Sequence, residues 1–433
     1  MELGNKFLYT NSTLFQNLFP DGATKYSRRL SNWQTVVPFV DFDYDTVYTL
    51  SATPTKDGVT GKTVTSEPFL IYKVKQFDTL TKIANYYGVD YDQLARDNRV
   101  VDRLLVENNT LFIRNPKTAE PYNPSDLSDE DKTLIDTMLM GRGLHCEFGF
   151  EPINLNTGNF YLAAQDAAVT DLGGQFSLSR TYNSVGASIH SMFGRGWSFE
   201  YDEALSQLAD GSIAYRRGDG SILPFTPDGN GGFTGPAGYG LSLSRIKTGE
   251  VTEDFGTEED PDVQTFDVFE YEITSRDGTV RRFNSWGLLA SITDINGFTT
   301  ALSYDAAYNL TGVTTPSGKT FAIALNENGM IGSVTLPDGG LVRYAYDDAG
   351  NLVSYFDALG NETKYIYDAA HRMTSWVDAN GTAMVVNVYD EKGRVVEQTD
   401  GNGGVSKLAY EDGKTIATDA AGNITVYHYD GQY

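Results

Sequence analysis

Thr363-Lys364-Tyr365-Ile366-Tyr367-Asp368 alternates with a period of two, so both tyrosines share one face of an extended strand, and the aspartate then opens a turn. The Tyr-Asp step recurs at Tyr346-Asp347, Tyr389-Asp390 and Tyr429-Asp430, with Tyr410-Glu411 as a variant. From 346 the intervals are 21, 22, 21 and 19 residues, and backward steps of 21 land on Leu325-Asn326, Tyr304-Asp305 and Phe283-Asn284. A fixed period of this length means an array in which each unit buries its apolar face on its neighbours. Each unit holds two turns. One follows the tyrosine, as in Asp347-Asp348-Ala349-Gly350 and Asp390-Glu391-Lys392-Gly393; the other falls half a repeat later, at Asp357-Ala-Leu-Gly360, Asp378-Ala-Asn-Gly381, Asp400-Gly-Asn-Gly403 and Asp419-Ala-Ala-Gly422. Aspartate accepts a backbone N–H two residues on, and glycine tolerates positive φ, so each unit reads as a β-hairpin. Eight registers then give roughly sixteen strands at two per hairpin.

Gly350-Asn351-Leu352 and Gly393-Arg394-Val395, which close the tyrosine turns, resemble the YD repeats of RHS proteins, bacterial relatives of teneurins and of insecticidal toxin-complex C subunits. The resemblance implies a mainly β fold: a spiralling antiparallel β-hairpin sheet, over 271–433, forming part of a shell around a C-terminal toxin. The array is expected to be incomplete at its C-terminal end.

The chain has 433 residues, with 27 tyrosines, 23 phenylalanines and 44 glycines, which suit aromatic-faced strands joined by tight turns. A net charge of −25 argues against non-specific binding to nucleic acid or to an anionic membrane. Cys146 is the only cysteine, so no intramolecular disulfide forms. No apolar run reaches the roughly 18 residues of a membrane span, and Met-Glu-Leu-Gly-Asn-Lys does not open a secretory signal. The expectation is a cytoplasmic chain that becomes secreted or surface-bound through a dedicated apparatus or another route, without membrane insertion.

Residues 1–69 read as a β-rich lead-in without informative chemistry. Over 70–115 the order becomes β-α-α-β. A first helix is expected to be N-capped by Asp78, to bury Leu80, Ile83, Ala84 and Tyr87, and to stop at Gly88. A second opens on a capping box of Asp90 and Gln93 and buries Tyr91, Leu94 and Ala95. Tyr72 and Val74, Asp78 to Leu80, Ile83-Ala84, Tyr87 to Val89, Leu94 and Asn98 together resemble a LysM domain. That resemblance implies binding of a peptidoglycan or chitin-like N-acetylglucosamine polymer, in a groove lined by Gln76, Phe77, Asp78 and Thr79 on one side and Asn98, Arg99 and Val100 on the other. Phe77 stands where the family usually has glycine; its ring either stacks on a sugar or fills the groove. The plainer reading makes Asp78 a cap, Asn98 a loop former, and the domain a spacer or docking module.

Pro116, Pro121 and Pro124 mark a linker over 116–145, with a short helix from Ser128 through Leu139. Residues 146–270 carry Glu151-Pro-Ile-Asn-Leu-Asn-Thr-Gly-Asn-Phe160, Leu178-Ser-Arg-Thr-Tyr-Asn-Ser184 and Phe193-Gly-Arg-Gly-Trp197, which resemble the module preceding the repeats in RHS proteins. Arg195, between two glycines, is expected to lie on an aromatic face such as Trp197. The acidic run Glu250 to Asp262 reads as a solvated insertion loop, with calcium binding as the sharper alternative.

A calcium loop starting at Asp400 fails at its sixth position, which needs glycine and holds Val405, so Asx turns fit these aspartates better. No nucleophile elbow, His-Glu-x-x-His helix, Walker loop or Cys-His pairing occurs. The four histidines share no motif, and His371 reads as an exposed substitution in a turn. No catalytic residue, metal ligand or cofactor is therefore assigned. The sequence points to the non-enzymatic N-terminal part of an RHS-type secreted toxin, with a glycan-binding LysM module, a C-terminal toxin cargo and a secretion apparatus as partners. The alternative is a cell-surface glycan-binding or adhesion protein without cargo.

Overall fold

The computed structural model describes residues 8–9, 34–35, 43–49, 51–52, 55–56, 59–75, 78–98, 105–120, 148–149, 152–254, 263–305 and 308–429. The helix expected from Ser128, Cys146, Asp430 and four groove residues (Gln76, Phe77, Arg99, Val100) fall outside them.

A single antiparallel sheet of 17 strands runs from Leu241–Asp254 to Ile424–His428, each strand bonded to the next in sequence. The eight registers close alternate strands: Val280–Phe283, Thr299–Tyr304, Thr320–Leu325, Leu341–Tyr346, Glu362–Tyr367, Ala383–Tyr389, Val405–Glu411 and Ile424–His428. The strand beyond the expected sixteen is Leu241–Asp254. Both turn families behave as Asx turns. Asp347 Oδ1 accepts the N–H groups of Ala349 at 3.1 Å and Asn351 at 2.8 Å, and Asp378 Oδ1 does the same for Asn380 and Thr382.

Tyrosine does more than pack. Ahead of Tyr304, Tyr346, Tyr367 and Tyr389 the ladder shifts register, and a bulge of this kind re-aims the side chain that follows. The hydroxyls of Tyr304, Tyr346, Tyr367 and Tyr410 donate at 2.6–2.8 Å to the carbonyls of Leu289, Ile331, Leu352 and Val395, each 15 residues back. Four repeats are thus each tied to the strand 15 residues back by a bond that phenylalanine lacks.

One face of the sheet is covered. Phe321, Ile323, Val342, Tyr344, Tyr365, Val385 and Leu408 pack against Ile153, Leu155, Phe160, Tyr182, Phe193, Trp197 and Phe199. Burying an aromatic or aliphatic side chain of this kind contributes roughly 1.5–3 kcal/mol. Those partners belong to a three-stranded sheet (Tyr161–Asp171, Gly174–Asn183, Trp197–Phe199) and its loops. Next come four strands, Ala204–Gln207, Ile213–Arg216, Ile222–Pro227 and Phe233–Thr234, which set Leu205, Tyr215 and Phe225 against Tyr271, Ile273 and Phe283 of the long sheet.

Helices α1 (Leu80–Tyr87) and α2 (Tyr91–Asn98) pack on a sheet of Val47–Tyr48, Phe69–Lys73 and Thr110–Arg114. Leu80, Ile83, Ala84, Tyr87 and Leu94 are buried, and Gly88 ends α1 at φ 62. This small core is continuous with the long sheet through Trp286, Leu288 and Tyr308. The Tyr91 and Trp286 rings meet at 5.3 Å, and Trp286 meets Tyr308 at 4.8 Å.

Four expectations change. The acidic run is not simply a loop: Leu241–Asp254 pairs with Val263–Ser275, leaving only 255–262 undescribed. Alternating Ile246, Val251, Phe266 and Val268 favour a strand, while Glu250, Asp267 and Glu270 fall at exposed positions. Arg195 donates to the carbonyls of Ala349 at 2.8 Å and Ser188 at 3.2 Å, and a guanidinium over Trp197, at 4.3 Å, is that of Arg180. His371 takes the left-handed turn position (φ 64) but is half-buried, with Nδ1 3.0 Å from Asn351 Oδ1 and its carbonyl accepting the Tyr182 hydroxyl. Asp90 accepts the N–H of Gln93 as expected, yet the Gln93 amide reaches Asp97 at 2.6 Å instead of closing a capping box.

Candidate functional site

The strands Phe69–Lys73 and Thr110–Arg114 are antiparallel, with Lys73 opposite Thr110. The loop leaving the first and the loop entering the second therefore share one end of the sheet. Val74 and the Asn108–Asn109 turn hold them together, Val74 N–H donating to Asn109 O and Asn108 N–H to Val74 O, both at 2.8 Å. Lys75, Asp78 and Thr79 follow the first strand, and residues 105–109 precede the second.

Asp78 does not cap α1. Thr79 does, its Oγ1 accepting the Lys82 N–H at 3.2 Å. Asp78 and Thr79 are both capping types, but the aspartate is engaged elsewhere, its buried Oδ2 accepting the Tyr72 hydroxyl at 2.5 Å and the Lys75 N–H at 2.7 Å. The carboxylate thus pins the loop back onto the strand it has just left. Asn98 does the same for the second loop. Its Nδ2 donates to Phe112 O at 2.7 Å and its Oδ1 accepts Phe112 N–H at 2.6 Å, so one side chain pairs with the outward edge of Thr110–Arg114 as a strand would. Tyr72 and Phe112 stand on neighbouring rungs of the ladder, Tyr72 opposite Leu111 and Ile71 opposite Phe112. Asp78 and Asn98 are therefore anchoring residues, each fixing the described backbone beside it to the sheet.

Burial pushes the Asp78 carboxyl up to about 6 from an ordinary 3.8, against the lowering effect of the Tyr72 and Lys75 bonds. A raised carboxyl pKa favours the fold while the group is protonated. Its contribution is full below about pH 4 and is lost as pH rises through about 6, on the order of 3 kcal/mol in all. The expected result is a urea midpoint for the helical signal, followed by far-ultraviolet circular dichroism, that falls between pH 4.5 and pH 7.5. Asp78→Asn should flatten that slope; an equal slope in the variant would refute the assignment.

No sequence pattern announces the fixed seat of this domain. Trp286 occupies the turn after the degenerate Phe283-Asn284 register, and Tyr308 sits at φ 58 in the next. Trp286 meets Tyr91 of α2, and Tyr308 backs Trp286. The backbone joins in, with Glu107 N–H donating to Gln207 O at 2.9 Å. Among the described residues no group of three or more His, Cys, Asp or Glu is placed to hold a metal, and no helix is long and apolar enough to cross a membrane.

Comparison with known proteins matches the LysM domain to residues 72–114 and the RHS Repeat to 283–320 and 346–383. A domain of unknown function, DUF6531, matches 150–225. The LysM and RHS families are binding and scaffold modules. The tRNA nuclease WapA of Bacillus subtilis strain 168 is 33% identical over 92 residues, which are 21% of this chain and 4% of WapA. The tRNA3(Ser)-specific nuclease WapA of Bacillus spizizenii matches to the same extent. The chain thus spans a small fraction of the length of these relatives. Among solved structures, TcdB2-TccC3 without its hypervariable C-terminal region covers 62% of this chain and 19% of its own, at 11% identity and a TM-score of 0.26. The TcdB2-TccC3-TEV structure covers 82% and 22%, at 11% identity and a TM-score of 0.24.

Proposed function

We propose that this chain, which matches the LysM domain ahead of two stretches matching the RHS Repeat, is the non-enzymatic N-terminal part of an exported RHS-type toxin. In this reading the LysM loops, Gln76 to Thr79 and Asn98 to Val100, hold an N-acetylglucosamine polymer of a cell wall. The repeat sheet is the first part of a wall that encloses a toxic C-terminal cargo, and the protein acts outside the cell that makes it. Likeness to WapA, named as a tRNA nuclease, supports a toxin context but not nuclease chemistry in this stretch.

The observation that carries the reading is the seat of the LysM domain on Trp286 and Tyr308. A flexibly tethered module would only concentrate the chain at a wall. A seated one also fixes which side of the sheet approaches it. Backbone groups paired strand to strand leave few sites for proteolysis, which suits a container.

Co-sedimentation with insoluble peptidoglycan tests this. The parent chain should be retained and released by a soluble N-acetylglucosamine oligomer. The variant carrying Phe77→Ala and Arg99→Ala should bind on the order of tenfold more weakly, as loss of an aromatic and an arginine contact does. These positions are preferable to Asp78 and Asn98, whose replacement disturbs the loops themselves. A parent chain that stays in the supernatant would refute the glycan-binding reading.

A further inference from the structure

A cavity of about 450 Å³ lies at the seam between the four-stranded sheet of residues 204–234 and the first strands of the long sheet. Its size is that of a small-molecule site, about 300–1,000 Å³. Most of its charge is already engaged. Buried Glu203 accepts the Tyr215 hydroxyl at 2.7 Å and pairs with Arg281 at 3.0 Å, while Arg217 lies 3.4 Å from Asp219 at the other wall. Two guanidinium groups thus answer two carboxylates.

Glu200 is left over. Among the described residues no cation stands within ion-pair distance of it, and its Oε2 accepts the Ser177 hydroxyl at 2.7 Å. Its burial raises the pKa of this carboxyl, with Glu203 adding to the rise and the Ser177 and Ser179 hydroxyls and Arg281 opposing it, so the cavity holds three carboxylates against two guanidinium groups. Around it the walls offer the hydroxyls of Thr181 and Ser275 and the ring of Tyr239. A carboxylate in a partly dry cavity gains most from a charge-assisted donor, and the hydroxyls and aromatic ring suit a polyhydroxylated ring beside that donor.

We propose that this cavity binds a small ligand carrying an ammonium group beside hydroxyls, the class represented by amino sugars. The site is independent of the LysM loops and does not rest on the glycan-binding reading.

Isothermal titration of the full chain with glucosamine, glucose and N-acetylglucosamine as monomers tests it, since the three share a ring and differ at one carbon in charge. Glucosamine should bind at least about tenfold more tightly than the other two, and Glu200→Gln should erase that preference. Phe77→Ala should leave it unchanged. On the unmutated chain, glucosamine but not glucose should shield Glu200 from carbodiimide coupling read by mass spectrometry, a result that does not depend on a variant folding. Failure of glucosamine to bind, equal affinity for all three sugars, a preference surviving Glu200→Gln, or labelling unaffected by glucosamine would each overturn the proposal.

Discussion

Asp166→Ala should destabilise the sheet by about 3–5 kcal/mol, the usual consequence of leaving one member of a buried ion pair without its partner. The Asp166 side chain is 2% exposed and that of Arg180 1%. Two parallel bonds join them, at 2.7 Å to Nε and 3.0 Å to Nη2. The same carboxylate accepts the Tyr344 hydroxyl at 2.7 Å, and Arg180 Nη2 donates to the Tyr365 hydroxyl at 2.7 Å. Trp197 covers the guanidinium at 4.3 Å. One ion pair therefore ties the filling of residues 161–199 to two successive repeats. Arg180 Nη1 is buried without a partner, so the cluster already carries one unmet donor and tolerates no second loss. The double variant Asp166→Leu with Arg180→Met should lose far less than the sum of the two single variants, because it removes both charges together. Urea unfolding followed by tryptophan fluorescence measures all three. Additive losses would show that the pair is not the unit that matters.

Gly194→Ala should cost about 3 kcal/mol or more. Gly194 sits at φ 84, and a Cβ there would lie 2.4 Å from the carbonyl oxygen of Gly350 and 3.2 Å from the Tyr346 ring. Backbone cannot yield as a flexible side chain does. The contact is where the Phe193-Gly-Arg-Gly-Trp197 motif meets a Tyr-Asp turn, sealed by the Arg195 N–H donating to Gly350 O at 3.1 Å. Gly297→Ala provides the reference: its φ is 85 but nothing lies within 4 Å, so only the conformational cost of about 1 kcal/mol remains. The difference between the two variants, read as urea midpoints, isolates the docking contact. Equal losses would mean that the motif merely touches the turn.

The repeat sheet is legible in the sequence because its signals are local: strand alternation, Asx turns and glycine positions all lie within a few residues of one another. The helices of the small domain are legible for the same reason. Contacts that depend on register are not. Arg195 is two residues from Trp197 in sequence, whereas Arg180 reaches it only because Tyr182 pairs with Trp197 and Arg180 with Phe199 across neighbouring strands. Asp166 turns inward at a register shift between Gln165 and Ala167, which no periodicity reveals. The cap of α1 lies one position beyond the expected Asp78, since Asp-Thr offers two caps in succession and burial chose between their roles. The seat of the small domain is not legible, because Trp286 and Tyr308 lie in turns whose partner, Tyr91, is about 200 residues away in sequence.

Hydrogen exchange of the intact chain, with and without a soluble N-acetylglucosamine oligomer, tests most directly the claim that a glycan-binding module is seated on a repeat scaffold. The expected result is slowed exchange in residues 75–79 and 98–105 and no change along the strands from Leu341 to Glu411. No slowing in either loop, or slowing confined to the sheet, would contradict it.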